Sequence, residues 1–227
     1  MIKKTHIQGS RVFRQFKELD KEEPRNVVNF FKLHEPSFNE LEFKEQNHLL
    51  AAYGDALFKL RLYKPYLKIA DRLIKLSILQ NVRFVQGEDI FHKSLYQKGL
   101  AYFHLHDYTA SAHIAKELIK MSPEQRSYRN LLRRCMIRQR PEWIKKVLFT
   151  GAVMYLLSVL LVILEFAIIA RFYEDYQQDT EQIRIGVFVI GLLALTLGEL
   201  VHHIQIQRKI NRYTKAARIK KTVNSIE

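Results

Sequence analysis

Val147-LFTGAVMYLLSVLLVILEFAII-Ala170 and Ile185-GVFVIGLLALTLGELVHHIQ-Ile206 set what this chain can be. Each stretch carries a single charge, Glu165 in the first and Glu199 in the second. As a helix, each is long enough to cross a hydrocarbon core of about 30 Å. Between them, Arg171 to Arg184 holds Glu174, Asp175, Asp179 and Glu181 and reads as a short acidic turn. The flanks are basic. Arg133, Arg134, Arg138, Arg140, Lys145 and Lys146 precede the pair, and Arg208, Lys209, Arg212, Lys215, Arg218, Lys220 and Lys221 follow it. Cationic flanks resist translocation. The expected topology is a transmembrane hairpin with both chain ends in the cytosol and the acidic turn outside.

Composition fits that division. Mean hydropathy is only −0.19, because a polar head of about 140 residues dilutes the apolar pair; a head of that size can bury its own core. The formal charge of +14 divides equally between residues 1–132 and 133–227. Topology and contact with anionic lipid account for the C-terminal half. The other half biases the head toward an anionic partner. No apolar stretch follows Met1-Ile2-Lys3-Lys4, so the first span is expected to act as its own insertion signal rather than a cleaved leader. The single cysteine, Cys135, excludes an internal disulfide and reads as a small buried apolar residue.

The head repeats itself. Tyr53–Ser77 aligns without gaps on Lys98–Ser122, with eleven identities in 25 positions. They include Gly54/Gly99, Ala56/Ala101, Phe58/Phe103, Tyr63/Tyr108, Ala70/Ala115 and Leu73/Leu118. Each copy reads as two antiparallel helices, with the turn of the second copy at His106-Asp107, and such units bury their apolar faces against their neighbours. Gly99, Tyr102, Tyr108 and Pro123 fall at the Gly, first Tyr, second Tyr and terminal Pro of the tetratricopeptide pattern. The segment 39–140 therefore resembles a tetratricopeptide repeat domain, and the resemblance implies a helical-hairpin stack with a concave binding face. It departs at Ser111 and Tyr66, which stand where the pattern has alanine, and in a period of 45 residues rather than 34.

The expected class is all-α. Residues 1–38 form a helical N-terminal segment, 39–140 the repeat domain, 141–207 the hairpin and 208–227 a basic tail continuing the second helix. Ser37 or Asn39 is placed to cap the first long helix. Asn81–Glu88 joins the two copies, Pro123 opens a helix running to Gln139, and Pro141 and Trp143 lead into the first span. No Gly/Ser-rich linker separates head from membrane, which predicts a stiff junction.

Catalytic signatures are missing: no phosphate loop, no GxSxG, no HExxH and no CxxC. The expectation is a non-enzyme without cofactor or metal site, and the histidines around His104, His106 and His113 read as surface side chains. Polar groups in the membrane carry more information, because an ionised acid in lipid costs at least ~2.5–3.5 kcal/mol. Glu165 reads either as an interfacial partner of Arg171 or as part of an acidic ring at a pore mouth. Glu199, His202 and His203 lie toward the cytosolic end of the second span. Gly191, Ala194 and Gly198 supply small residues for close helix contact, within the hairpin or between subunits. Gly54 and Gly99 do the same in the repeat. Arg126, Arg129, Arg133, Arg134, Arg138 and Arg140 read as one basic helix, which with Arg208, Lys209 and Arg212 fits anionic lipid or a phosphorylated ligand such as a nucleotide or nucleic acid.

Two functional classes fit. One is a ligand- or partner-responsive homo-oligomer in a bacterial inner membrane, whose hairpins form a pore. Its layout resembles the small two-span effectors of bacterial antiphage systems. The other is a membrane-anchored adaptor whose repeat recruits a cytosolic protein.

Overall fold

A computed structural model of the 227-residue chain describes residues 11–79, 84–85, 88–164 and 177–223. It is all-α apart from one minimal strand pair. The helices are α1 (residues 11–18), α2 (Pro24–His34), α3 (Phe43–Lys59), α4 (Tyr63–Leu79), α5 (Ile90–His104), α6 (Tyr108–Met121), α7 (Arg126–Arg138), α8 (Glu142–Leu164) and α9 (Gln177–Val223). The chain divides into two compact units, 1–135 with 217–227, and 136–216.

In the first unit α2 packs on α3, α3 on α4, α4 on α5 and α5 on α6. The two repeat copies agree at the level of hydrogen bonds. Leu60 and Leu105 cap α3 and α5. Beyond them Arg61 and His106 adopt left-handed φ values of 59° and 64°. Leu62 N donates to Leu57 O and Asp107 N to Tyr102 O, closing equivalent Schellman turns. The copies differ where their residues require it. Asp107 Oδ1 accepts from Ala110 N at 3.0 Å to cap α6. The first copy has Leu62 and Pro65 at those positions, so the cap acceptor is lost together with the donor it would serve.

The two departures from the repeat pattern are equally specific. Ser111 is fully buried and donates to Gly99 O at 2.8 Å, and Cys135 Sγ donates to Ser111 Oγ at 3.1 Å. Its counterpart Tyr66 is also fully buried and bonds across to α5, at Ser94 O (3.3 Å) and Gln97 Oε1 (3.0 Å). A small polar group within one hairpin is thus matched by a long one bridging two hairpins.

Several local details differ from the sequence reading. Within the head, Val12, Phe16, Val27, Val28 and Phe31 share one core with Leu49, Leu57 and Tyr66, and Phe31 stacks on Tyr53 at 3.7 Å. Neither Ser37 nor Asn39 caps α3. A 3-10 turn over Glu35–Glu40 intervenes, and the N-cap is Glu42, whose side chain does not cap the helix. The joining segment forms an antiparallel pair, Phe84 with Asp89 and Val85 with Glu88, and Asp89 then caps α5 through His92 N at 3.0 Å. Pro123 lies buried in the turn before α7 instead of within its first turn.

In the second unit, α8 and α9 are long and apolar enough to cross a membrane. Only 11% and 17% of their most apolar windows are buried, so they are not core helices of the head. They approach closely at glycines. A Cβ on Gly191 would meet Gly151 O at 3.3 Å, one on Gly151 would meet Leu195 at 2.9 Å, and one on Gly198 would meet Val147 at 3.1 Å. Helix α9 is described from Gln177 onward and includes Asp179 and Glu181 of the acidic segment. Gln139–Pro141 alone separates α7 from α8, and Pro141 O accepts from Ile144 N to start the new helix. At 47 residues α9 is about 70 Å long. It belongs to the hairpin unit up to Ala216, and from Ala217 its last turns belong to the head unit.

Candidate functional site

The head carries a cleft of about 130 Å³ whose polar lining comes from three parts of the sequence. The α1–α2 turn supplies Lys21. Helix α3 supplies His48, Ala52 and Asp55, and α5 supplies Lys93 and Gln97. A second lobe shares Lys21, Ala52 and Asp55 and adds Lys59, one helical turn after Asp55. Asp55 is held from both sides. Lys93 Nζ lies 2.7 Å from its Oδ2, and Gln97 Nε2 donates to Oδ1 at 3.0 Å. Gln97 in turn accepts from Tyr66, so the buried tyrosine, the amide and the acid form a chain into the cleft wall. Burial, then the Asp55 charge, raises the Tyr66 pKa above the usual tyrosine value, which keeps its hydroxyl a donor.

The cleft is electropositive. Lys21 lies over the Phe16 ring and Lys17 over Phe13, both at 4.8 Å from the centroid. His48 sits edge-on to those same rings at 6.0 and 5.7 Å. Burial, then the Lys21 and Lys17 charges, holds His48 below the usual histidine value. The lining offers cationic donors, an anchored carboxylate and an apolar floor of Ala51, Leu73 and Ile90. That is chemistry for holding an anion. The sequence reading missed Lys21, His48, Asp55 and Lys93 as a group, because they are scattered over more than 70 positions and belong to no motif. The only signal was the basic bias of the head.

The residues singled out from sequence fall elsewhere. Glu165 lies outside the described residues. Glu199 pairs with Arg140, Nη2 to Oε1 at 2.8 Å. Its Oε2 and His202 Nε2 are buried and receive no hydrogen bond from a described residue. His202 is 4% exposed, while His203 faces outward with its ring 6.2 Å away. Gly191 and Gly198 meet α8 within the hairpin, and Ala194 is half-buried between them. Gly99 is the tighter of the repeat glycines: its Cβ would lie 3.0 Å from Leu131 and 3.2 Å from Ile114, against 3.4 Å or more at Gly54.

On α7, Arg126, Arg133, Arg134 and Arg138 are exposed and Arg129 half-buried, opposite a buried stripe of Tyr128, Leu131, Leu132 and Cys135. Arg140 is not part of that helix; it lies past its end and serves Glu199. Arg208, Lys209 and Arg212 are exposed on α9. Further along, Arg218 Nη2 lies 2.8 Å from Glu124 Oε2 and Lys221 donates to Met121 O at 3.3 Å. Part of the tail's charge therefore serves the head rather than lipid. His104 stacks on Tyr63 at 4.7 Å and His106 Nδ1 lies 2.8 Å from the Tyr108 hydroxyl. Among the described residues no group of three His, Cys, Asp or Glu side chains converges.

No protein-family model, curated protein sequence or solved structure matches this chain.

Proposed function

We propose that this is a ligand- or partner-responsive oligomeric membrane protein: a cytosolic helical-repeat head coupled to a two-span hairpin that opens a pore, after the manner of bacterial antiphage effectors. One observation carries the reading. Helix α9 runs unbroken from the apolar hairpin into the head unit, where Arg218 and Lys221 engage Glu124 and Met121. The other connection, Gln139–Pro141, is three residues long and contains a proline. A helix and a short proline turn transmit displacement, whereas a flexible tether absorbs it. A ligand then shifts the pore only through its different affinity for the two head states.

Two spans cannot enclose a channel, so the pore needs several copies. The small residues do not supply that contact, since Gly151, Gly191 and Gly198 are occupied inside the hairpin. The remaining apolar surface of α8 and α9, including Phe149, Leu156, Leu160, Leu193 and Leu197, is exposed and faces lipid or other subunits. Glu165 lines the outer mouth in this reading and favours cations. The adaptor reading keeps one support of its own, the repeat stack with its cleft.

Ion flux into liposomes tests the proposal. Flux is expected with the activating ligand or partner present, cation preference is expected to fall in Glu165→Gln, and a Gly-Ser insertion after Arg140 is expected to uncouple flux from binding. Absence of flux under activation, or flux indifferent to both changes, rejects the pore and leaves the adaptor.

A further inference from the structure

We infer that the Lys21–Lys59–Lys93 cleft of the head binds a small phosphorylated molecule, of the size of a sugar phosphate or mononucleotide. The inference rests on the reading of the head as the ligand-responsive part and names its ligand class. Three lysines and His48 converge on two adjoining lobes, against the single acid Asp55. Asp55 is already engaged by Lys93 and Gln97. Lys21 and Lys59 form no ion pair among the described residues. The excess positive charge therefore faces the opening.

The cations suit a phosphoryl group. Lysine is a compact point charge with three donors and a common partner of phosphate oxygens. Arginine is plentiful in this chain on α7, yet the cleft lining contains none. Size and floor narrow it further. A space of about 130 Å³ excludes a folded partner and a nucleic-acid duplex but admits a phosphate and part of the body it is attached to. Ala51, Leu73 and Ile90 offer that body an apolar surface. The anchored carboxylate beside the lysines gives it a hydroxyl or amine acceptor, which a bare inorganic anion lacks.

Position makes occupancy consequential. Lys21 comes from the turn between α1 and α2, Lys59 from the end of α3 and Lys93 from α5 of the second copy. A shared anion ties the N-terminal helices to both hairpins of the repeat. Those hairpins lead through α6 to the corner that holds Arg218 and Lys221.

Isothermal calorimetry of the full-length chain in nanodiscs of neutral lipid tests this, with inorganic pyrophosphate, adenosine 5′-monophosphate and glucose 6-phosphate as probes and citrate as the carboxylate arm. The expected result is saturable binding of at least one organic phosphate at one per subunit, weakened by added salt. Lys21→Glu and Lys59→Glu, both at exposed positions, are expected to lower affinity about tenfold or more each, equivalent to ~1.4 kcal/mol. Lys75→Glu, on the exposed side of α4, should leave affinity unchanged. Helical circular dichroism and unfolding midpoint serve as the fold check for each variant. No saturable binding of any phosphate, citrate binding as tightly as phosphate, or an equal loss in Lys75→Glu overturns the inference. Binding is read without flux, so the two readings fail separately: phosphate binding in a protein that conducts nothing keeps the cleft and removes the pore, and ligand-gated flux without phosphate binding does the reverse.

Discussion

Two glycines at the same place in the repeat should respond to alanine with opposite signs. Replacing a helical glycine by alanine gains ~0.8–1 kcal/mol of helix propensity if the new methyl group has room. At Gly54 it has room. The Cβ would sit 3.4 Å from Leu73, 3.5 Å from Ile69 and 3.5 Å from Tyr66, all ordinary contacts. At Gly99 the Cβ would sit 3.0 Å from Leu131 Cδ2 and 3.2 Å from Ile114 Cγ2. Leu131 can rotate its terminal methyl group only into other core atoms, being 2% exposed, and Ile114 is β-branched and stiff at χ1. Overpacking of this kind costs ~1–3 kcal/mol and outweighs the propensity gain. Gly54→Ala should therefore stabilise by ~1 kcal/mol, and Gly99→Ala should be neutral to ~2 kcal/mol destabilising, with Gly99→Leu worse. For a chain of this size 1 kcal/mol moves Tm by about 2–4 °C. Thermal and urea unfolding of the detergent-solubilised protein, followed by circular dichroism, reads both. Equal stabilisation by the two alanines refutes the packing of α5 against α6 and α7 described above.

Further outcomes follow from the same geometry. Arg61 and His106 hold left-handed backbone without being glycine, so Arg61→Gly and His106→Gly should each stabilise by ~0.5–1 kcal/mol in the same unfolding assay. Ser111→Ala restores the repeat-pattern alanine yet should destabilise by ~0.5–1.5 kcal/mol, since it removes the bond to Gly99 O and leaves the Cys135 thiol without its acceptor. His48 has a lowered folded pKa, so the unfolded state takes up the proton first; stability is full above the unfolded value of about 6.5 and declines as pH falls through it toward the folded value, and His48→Gln should flatten that slope in urea titrations between pH 7 and about pH 5. Burial raises the Cys135 thiol, partly offset by its Ser111 bond, so labelling by a thiol reagent at pH 8 should track unfolding and not proceed from the folded head.

Much of this architecture can be read from periodicity. The two apolar stretches, the helix pairs of the repeat and the matched turns at Arg61 and His106 depend on local pattern, and a repeated pattern reproduces the same turn twice. What sequence conceals is long-range pairing. Nothing near Glu199 in sequence announces Arg140, 59 residues earlier, and nothing in the tail announces Glu124. The cleft is hidden for the same reason, since its lysines stand in an α1–α2 turn, at the end of one helix and in the first turn of another. The packing of Val12, Phe16 and Phe31 against Leu49 and Tyr66 is hidden in the same way, because those side chains are far apart in the chain. Pro123 misleads because proline serves equally in a turn and in a first helical turn.

Topology is a separate expectation: in a Cys135→Ser background, Asp179→Cys should label from outside the membrane and Ser225→Cys from the cytosol, and the reverse pattern removes the orientation. The central claim, that several copies assemble around a pore, is tested most directly by subunit counting. Native mass measurement of the full-length chain in nanodiscs should find one defined assembly of several subunits. A monomer at every lipid and ligand condition contradicts the account, because a single two-helix hairpin has no interior through which an ion can pass.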